Sequence, residues 1–236
     1  HTHCFVCHHH TGTDGEPDIT QLMTSTAQLK GSAVSLQKRK LSEKTCQQFK
    51  IFKDGSTLRF HYFTEDGILK GAKLKTKDKT FTYEGETPGT FFGQNLFPST
   101  GKRVVITEGE LDAASCSQAM PGWPMVSLPS GAAAAKKSVQ RNLQWLQGYE
   151  TVVLFFDNDD AGRKATEEAC SVLPPGKCKI ASLSDDYKDA SDALIANDSE
   201  AIRRAIWDAK DYRPDGIVSG KDLFDLVTTP SPPSDH

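Results

Sequence analysis

The chain has 236 residues, of which 37% are hydrophobic and 25% are charged, and its formal net charge at pH 7 is −3. This length allows one large domain or two small ones with a sizeable core. The longest apolar run, Val152 to Phe156, is far shorter than the roughly 18 apolar residues of a membrane helix, so no membrane partner is expected. The chain begins at His1 without a methionine, and we interpret it as a piece of a longer protein.

Positive charge is concentrated in one region. Residues 30–79 contain 13 lysines and arginines against 5 acidic residues, and the acidic clusters come later in the chain. A basic region followed by acidic clusters predicts phosphate-bearing ligands together with a divalent metal. A solvated lysine-rich face explains the same charge pattern equally well.

Two parts precede residue 101. Residues 1–37 are polar and rich in Gly, Asp, Ser and Thr, which indicates a short motif followed by a linker. In residues 38–100, Ser42 is placed to cap a short helix. Alternating stretches follow it at 49–53, 57–64, 68–75 and 80–83. Asp-Gly pairs separate three of these stretches, so we predict a small α+β subdomain that is mainly antiparallel sheet.

Residues 101–212 show a different pattern, in which apolar strands alternate with helices. Strands are predicted at 103–107, 125–128, 151–156 and 178–183, and helices at 111–120, 133–147, 160–172 and 199–209. This alternation predicts an α/β domain with a parallel sheet flanked by helices. Residues 213–236 turn polar and end in a Pro/Ser-rich stretch that indicates another linker.

Acidic residues follow two of the predicted parallel strands. The first cluster is EGELD, from Glu108 to Asp112, and the second is FDNDDAGR, which contains Asp157 and Asp159. Ligands of open α/β sheets bind at the carboxyl ends of the strands, and converging carboxylates suit Mg²⁺ or Mn²⁺. Helix capping is the simpler explanation for Glu110 and Asp160, because acids favour helix N-termini.

These motifs resemble a known family. VVITEGELDAASCSQ, VSLPSGAAAAKK, LFFDNDDAGRKATEEA and KDASDAL, in this order, are similar to the Toprim fold in the primase half of the primase–helicases of T-seven-type phages. The resemblance covers about residues 1–218 and implies a DNA primase, which is a nucleotidyltransferase that makes short RNA primers during DNA replication.

The resemblance also implies roles for the acidic residues. The essential acid of the family, a general base or metal ligand, corresponds to Glu108, and further metal ligands correspond to Asp112, Asp157 and Asp159. A later acid corresponds to Asp189 in KDASD, where Ser191 and Asp192 replace the usual Asn and Glu.

Four lysines alternate in GAKLKTKDKTF, at positions 73, 75, 77 and 79. Alternate residues of a strand share a face, so these ammonium groups form a comb suited to phosphates. Lysines that guard an exposed sheet edge are the alternative. By the resemblance, Lys73 and Lys79 are the catalytic lysines beside the nucleotide, and Lys75 replaces an arginine. Arg163, at a helix start, is a further phosphate candidate.

The first residues, HTHCFVC, resemble the second half of the family's zinc ribbon. Cys4 and Cys7 have the CxxC spacing of half a four-cysteine zinc site, and we expect the partner pair upstream, so that Zn²⁺ binding is complete only in the intact protein. The remaining cysteines are scattered, and no disulfide framework is expected.

The sequence thus predicts a primase core that uses Mg²⁺ or Mn²⁺, NTPs, a single-stranded DNA template and a short RNA primer. A replicative helicase domain is expected in the same full-length chain after residues 213–236, and the resemblance implies the host cell cytoplasm as the location. A Toprim-type nuclease and a non-catalytic single-stranded-DNA-binding remnant of a primase are the alternatives.

Overall fold

The computed structural model describes residues 28–78, 80–86 and 89–212, together with the backbone of two short paired strands, β1 (Thr2–His3) and β2 (His10–Thr11). The other predictions for residues 1–27 and 213–236, including the zinc half-site at Cys4 and Cys7, lie outside the described residues. No helix in the described part of the chain has the length and apolar character needed to cross a bilayer.

The predicted antiparallel subdomain is present. Ser42 is the N-cap of helix α1 (Glu43–Phe49), and its side chain accepts a hydrogen bond from the Thr45 amide. A four-stranded antiparallel sheet follows, consisting of β3 (Ile51–Asp54), β4 (Thr57–Phe63), β5 (Leu69–Lys75) and β6 (Phe81–Gly85) in that spatial order. The Asp-Gly pairs form the β3–β4 and β4–β5 turns, as the sequence predicts.

The second half forms the predicted α/β layers. Its strands are β7 (Gly101–Thr107), β8 (Met125–Ser127), β9 (Tyr149–Phe155), β10 (Cys178–Ile180) and β11 (Lys210–Asp211), and its helices are α2 (Glu110–Ala119), α3 (Ala135–Arg141), α4 (Leu143–Gln147), α5 (Asp160–Cys170), α6 (Ala190–Ile195) and α7 (Ser199–Trp207). The spatial order is β11-β10-β9-β7-β8, in which β7 to β10 are parallel and β11 is an antiparallel edge strand.

The central strands are buried on both faces. Val105 and Val153 belong to the core that α2, α6 and α7 cover, whereas Val104 and Val152 belong to the core under α3, α4 and α5. All four side chains have no exposed surface, as expected for parallel strands that are covered by helices on both sides. The strand ends are therefore held rigidly at the edge where the acidic residues follow.

The two sheets share one core instead of packing as separate bodies. Phe92 is fully buried between them, with its ring centroid 5.9 Å from Phe49, 6.0 Å from Phe60 and 5.3 Å from Tyr62. The Phe92 backbone also pairs with Ser127 at the end of β8. This aromatic cluster fixes the antiparallel sheet against the parallel one.

Two sequence predictions of local structure are wrong in detail. The helix predicted at 133–147 is broken at Asn142, where the backbone leaves the α-helical range (φ −102°, ψ 16°) and the side-chain amide donates to the carbonyl groups of Gly89 and Ser138. Helix α6, which begins after Asp189, was not predicted because its 6 residues carry too little periodicity.

We expect Gly162→Ala to destabilise the chain. A Cβ atom at Gly162 would lie 2.1 Å from the Asp157 carbonyl oxygen, which belongs to backbone and cannot move aside cheaply. The overpacking cost of about 1–3 kcal/mol exceeds the gain of roughly 1 kcal/mol from replacing glycine in a helix. Urea unfolding measures the change, with the exposed Lys164→Ala on the same helix as control. An unchanged or higher free energy of unfolding would contradict this packing.

Candidate active site

A cleft of about 550 Å³ lies between the antiparallel sheet and the carboxyl ends of β7 and β9. One wall is basic and aromatic, and the other is acidic. The residues that line it are Arg39, Phe60, Lys73, Lys75, Phe81, Tyr83, Glu108, Gly109, Glu110, Leu111, Asp112, Ser130, Gly131, Asp157, Asp189 and Ser191. The cleft therefore lies where open α/β sheets bind their ligands, at the carboxyl ends of the strands.

Three carboxylates of the acidic wall converge. One oxygen each of Asp112, Asp157 and Asp189 lies within 4.8 Å of the others. Asp112, in the first turn of α2, is held by the Ser191 amide, which donates to its Oδ1 at 2.9 Å. Asp189 caps α6 by accepting from the Asp192 amide at 2.7 Å. The predicted metal ligands Asp112, Asp157 and Asp189 are therefore brought together.

Burial is the main reason that these carboxyl groups have abnormal acidity. It raises the pKa of Asp112 well above its usual value, and the Asp189 charge adds to this. It also raises the pKa of Asp157 and of Asp189. Uncompensated negative charge in a partly dry site is costly, so the cluster favours a cation or a proton.

Glu108 follows β7 and lies beside the cluster. Burial raises its pKa, and the charges of Asp157 and Asp159 raise it further. Its Oε2 atom is buried and has no hydrogen-bond partner among the described residues. A buried acceptor without a donor, next to three carboxylates, fits a hard divalent cation such as Mg²⁺ or Mn²⁺.

Asp159 has a different environment from the other predicted metal ligands. It is the N-cap of α5, and the hydrogen bond from the Gly162 amide lowers its pKa. The Lys188 ammonium lies 3.2 Å from Asp157 and 3.3 Å from Asp159, and these contacts raise the pKa of Lys188. Asp159 thus stands outside the group of three converging carboxylates and shares Lys188 with Asp157.

Glu110 is not the simple helix-capping acid that its position suggests. Its carboxylate is buried, and its Oε1 accepts from the Tyr62 hydroxyl at 2.7 Å and from the Lys73 ammonium at 2.8 Å. The Lys73 side chain is only 12% exposed, so most of this lysine is buried in the wall of the cleft. The motif EGELD therefore places Glu108 beside the acidic cluster and Glu110 against the basic wall.

The described part of the lysine comb is divided between a strand and a turn. Strand β5 ends at Lys75, and Lys77 lies in the following turn, so among the described lysines of the comb Lys73 and Lys75 share the cleft-facing side. Their ammonium groups lie 4.9 Å and 5.4 Å from the centroid of the Phe81 ring. Burial lowers the pKa of Lys75, and the Arg39 charge lowers it further. Lys79 lies outside the described residues.

Arg163 is not brought into the cleft. Its guanidinium pairs with Asp160 on the exposed side of α5 and lines a neighbouring groove with Phe156 and Thr166. In this arrangement Arg163 and Lys73 belong to different surfaces.

The exposed aromatic rings of the cleft lie on the edge strand β6 and not on β4. Phe60 and Tyr62 are 1% and 2% exposed and belong to the core. Phe81 and Tyr83, on the edge strand β6, are 47% and 44% exposed and line the cleft. Their β6 positions pair with Lys75 and Lys73 on β5, so each ring stands beside a cation.

Two further charged residues join the site without having been predicted. Arg39, from the turn before α1, lines the cleft and donates to the Ser191 hydroxyl at 3.5 Å. No local pattern marks it, because the contact spans 152 residues of sequence. Lys188 directly precedes Asp189 in KDASD, and that motif offered a signal for it.

Comparison with known proteins identifies relatives for most of the chain. A family model described as Toprim-like matches residues 105–194. The DNA helicase/primase of Enterobacteria phage T3 is 34% identical over 96% of this chain, and the chain spans 43% of that relative.

Solved structures are similar over the same region. The primase fragment of the bacteriophage T7 primase–helicase is 31% identical, with a TM-score of 0.72 over 87% of this chain and 90% of that one. A second T7 structure contains a lagging-strand DNA polymerase interacting with primase domains of two gp4 subunits bound to an RNA/DNA hybrid and dTTP. It is 35% identical, with a TM-score of 0.71 over 78% of this chain and 94% of that one.

The raised pKa values predict that, in the absence of divalent metal, the fold becomes less stable as the pH rises. Between the ordinary aspartate pKa of 3.8 and the raised value of Asp157, the folded chain binds more protons than the unfolded chain. This contribution therefore destabilises the fold as the pH rises through that window. We expect Asp157→Asn to gain stability relative to the parent as the pH rises from about 4 to about 8 in EDTA.

Urea unfolding at several pH values measures this difference. Adding MnCl₂ is expected to restore the stability of the parent at the higher pH values. Asp160→Asn is the control, since Asp160 is fully exposed and outside the cluster. Equal pH dependence for the parent and Asp157→Asn would show that burial does not raise the pKa of Asp157 in the folded chain.

Proposed function

The chain belongs to the primase family of the T7-type phage primase–helicases, and we propose that it is a DNA primase core that makes short RNA primers by metal-dependent nucleotidyl transfer. The observation that carries this proposal is the cleft itself. Converging Asp112, Asp157 and Asp189 face Lys73 and Lys75 across it, which suits a metal-bound triphosphate.

Asp112, Asp157 and Asp189 would hold a divalent cation, and Asp159 and Glu108 are its further candidate ligands. Such an ion supplies charge neutralisation for a triphosphate and for the oxygen that attacks its α-phosphorus. Glu108 has a second possible role, since burial raises its pKa and makes its carboxylate a stronger base toward the 3′-hydroxyl of a primer. Mg²⁺ and Mn²⁺ are the proposed ions.

The basic wall would bind the triphosphate. Lys73 and Lys75 face the cleft and supply fixed positive charge near the acidic cluster, where the leaving pyrophosphate gains negative charge. Lys79 is proposed to join them, and Arg163 is a candidate for a more distant phosphate.

The proposed partners are an NTP, a single-stranded DNA template and a short RNA primer. A T7 complex whose primase domains are similar to this chain also contains an RNA/DNA hybrid, which supports the choice of a DNA template and an RNA primer. A helicase domain is proposed to follow residues 213–236, because the T3 relative is a DNA helicase/primase. A zinc site that includes Cys4 and Cys7 is proposed from their CxxC spacing.

Extension of a dinucleotide on a single-stranded template with labelled NTP and MgCl₂ tests the proposal. We expect Glu108→Gln to lower the rate by at least about 100-fold, since it removes a metal ligand or base but no core volume. Lys73→Met is expected to lower kcat/KM by roughly 10- to 1,000-fold. Lys70→Met, on the same strand and paired with Glu86, is the control and should retain the parental rate.

The same reactions distinguish the alternatives. Cleavage of labelled single-stranded DNA without incorporation of NTP would identify a nuclease. Binding of DNA with neither reaction would identify a non-catalytic remnant, and circular dichroism of Glu108→Gln verifies that the fold is intact.

A further inference from the structure

Tyr62 links the antiparallel sheet to the first turn of α2. It lies on β4, is 2% exposed, and packs its ring against Phe92 at a centroid distance of 5.3 Å. Its hydroxyl donates to Glu110 Oε1 at 2.7 Å. Burial and the Glu110 charge raise the pKa of Tyr62, so the hydroxyl remains a proton donor at neutral pH.

Glu110 connects this hydroxyl to the cleft. The same Oε1 atom is 2.8 Å from the Lys73 ammonium, so one oxygen accepts a hydrogen bond from a neutral hydroxyl and also pairs with a cation. A buried carboxylate keeps its orientation only while its donors hold it, because an unsatisfied buried charge is expensive. The Lys73 ammonium is also 3.4 Å from the Pro129 carbonyl oxygen and lies beside Phe81. These contacts fix the position of the Lys73 ammonium on the wall of the cleft.

We propose that Tyr62 is a positioning residue, which orients Glu110 so that the Lys73 ammonium is fixed toward the triphosphate of an incoming nucleotide. This role rests on the proposed function, because it needs a triphosphate in the cleft. Tyr62 contributes a donor without adding charge, so Lys73 remains the cation that pairs with Glu110. A hydroxyl that served packing alone would leave the affinity for the triphosphate unchanged.

The matched test compares Tyr62→Phe with Tyr149→Phe. Both substitutions remove one hydroxyl from a buried tyrosine, and the Tyr149 hydroxyl donates to the Pro98 carbonyl in the other core layer, away from the cleft. In dinucleotide extension we expect Tyr62→Phe to raise the KM for NTP roughly tenfold, with a smaller effect on kcat. Tyr149→Phe should leave KM unchanged. Equal KM values for Tyr62→Phe and the parent would overturn the proposal.

Binding of tripolyphosphate in MgCl₂ provides a readout that does not require catalysis. By calorimetry, Tyr62→Phe should weaken binding about tenfold in the parental background and less than about twofold in Lys73→Met, because its effect passes through Lys73. The same weakening in both backgrounds, or none in either, would overturn the proposal.

These two measurements also separate this proposal from the proposed function. If the parental chain makes no primers but tripolyphosphate binding shows the Lys73-dependent pattern, the Tyr62 role stands and the primase assignment fails. If primers are made and Tyr62→Phe changes neither KM nor binding, the primase assignment stands and the Tyr62 role fails.

Discussion

Repulsion between carboxylates at the carboxyl edge of the parallel sheet is the constraint on which the site depends. Oxygens of Asp112, Asp157 and Asp189 lie within 4.8 Å of one another, although burial already disfavours their charged forms. Such a group stays together only if its supports cannot relax. The doubly covered strands and the backbone donors to Asp112 and Asp189 provide that rigidity.

The opposite wall of the cleft is tied to the same frame. Phe92 joins the two sheets in one core, and the hydrogen bonds of Glu110 join β4 and β5 to α2 just beyond it. The distance between the acidic and basic walls is therefore set by packing and by one buried ion pair. The proposed nucleotidyl transfer would depend on this arrangement, since it requires metal and triphosphate at a fixed separation.

The α/β order, the hairpins and the acids at strand ends were predictable from the sequence, because hydrophobic period, Asp-Gly turns and strand-end position are local signals. The sequence did not predict which of these acids converge. Asp189 reaches the cluster through α6, too short a helix to leave a periodic pattern, and Asp159 is an N-cap beside it. Glu110 has the local signature of a helix start, and its contact with Tyr62 is 48 residues away in sequence. Lys77 falls in a turn whose position depends on where β5 ends.

The hydrogen bond from the Ser191 amide to Asp112 has a consequence for sequence comparison. Its donor is main chain, so most side chains at position 191 can preserve the contact, and Ser in place of Asn leaves the support of Asp112 intact. Proline is the exception, since it has no amide hydrogen. A one-residue insertion or deletion between Asp189 and Ser191 would move the donor itself. Alignment spacing is thus a better guide than residue identity to whether a related chain keeps this acid in place.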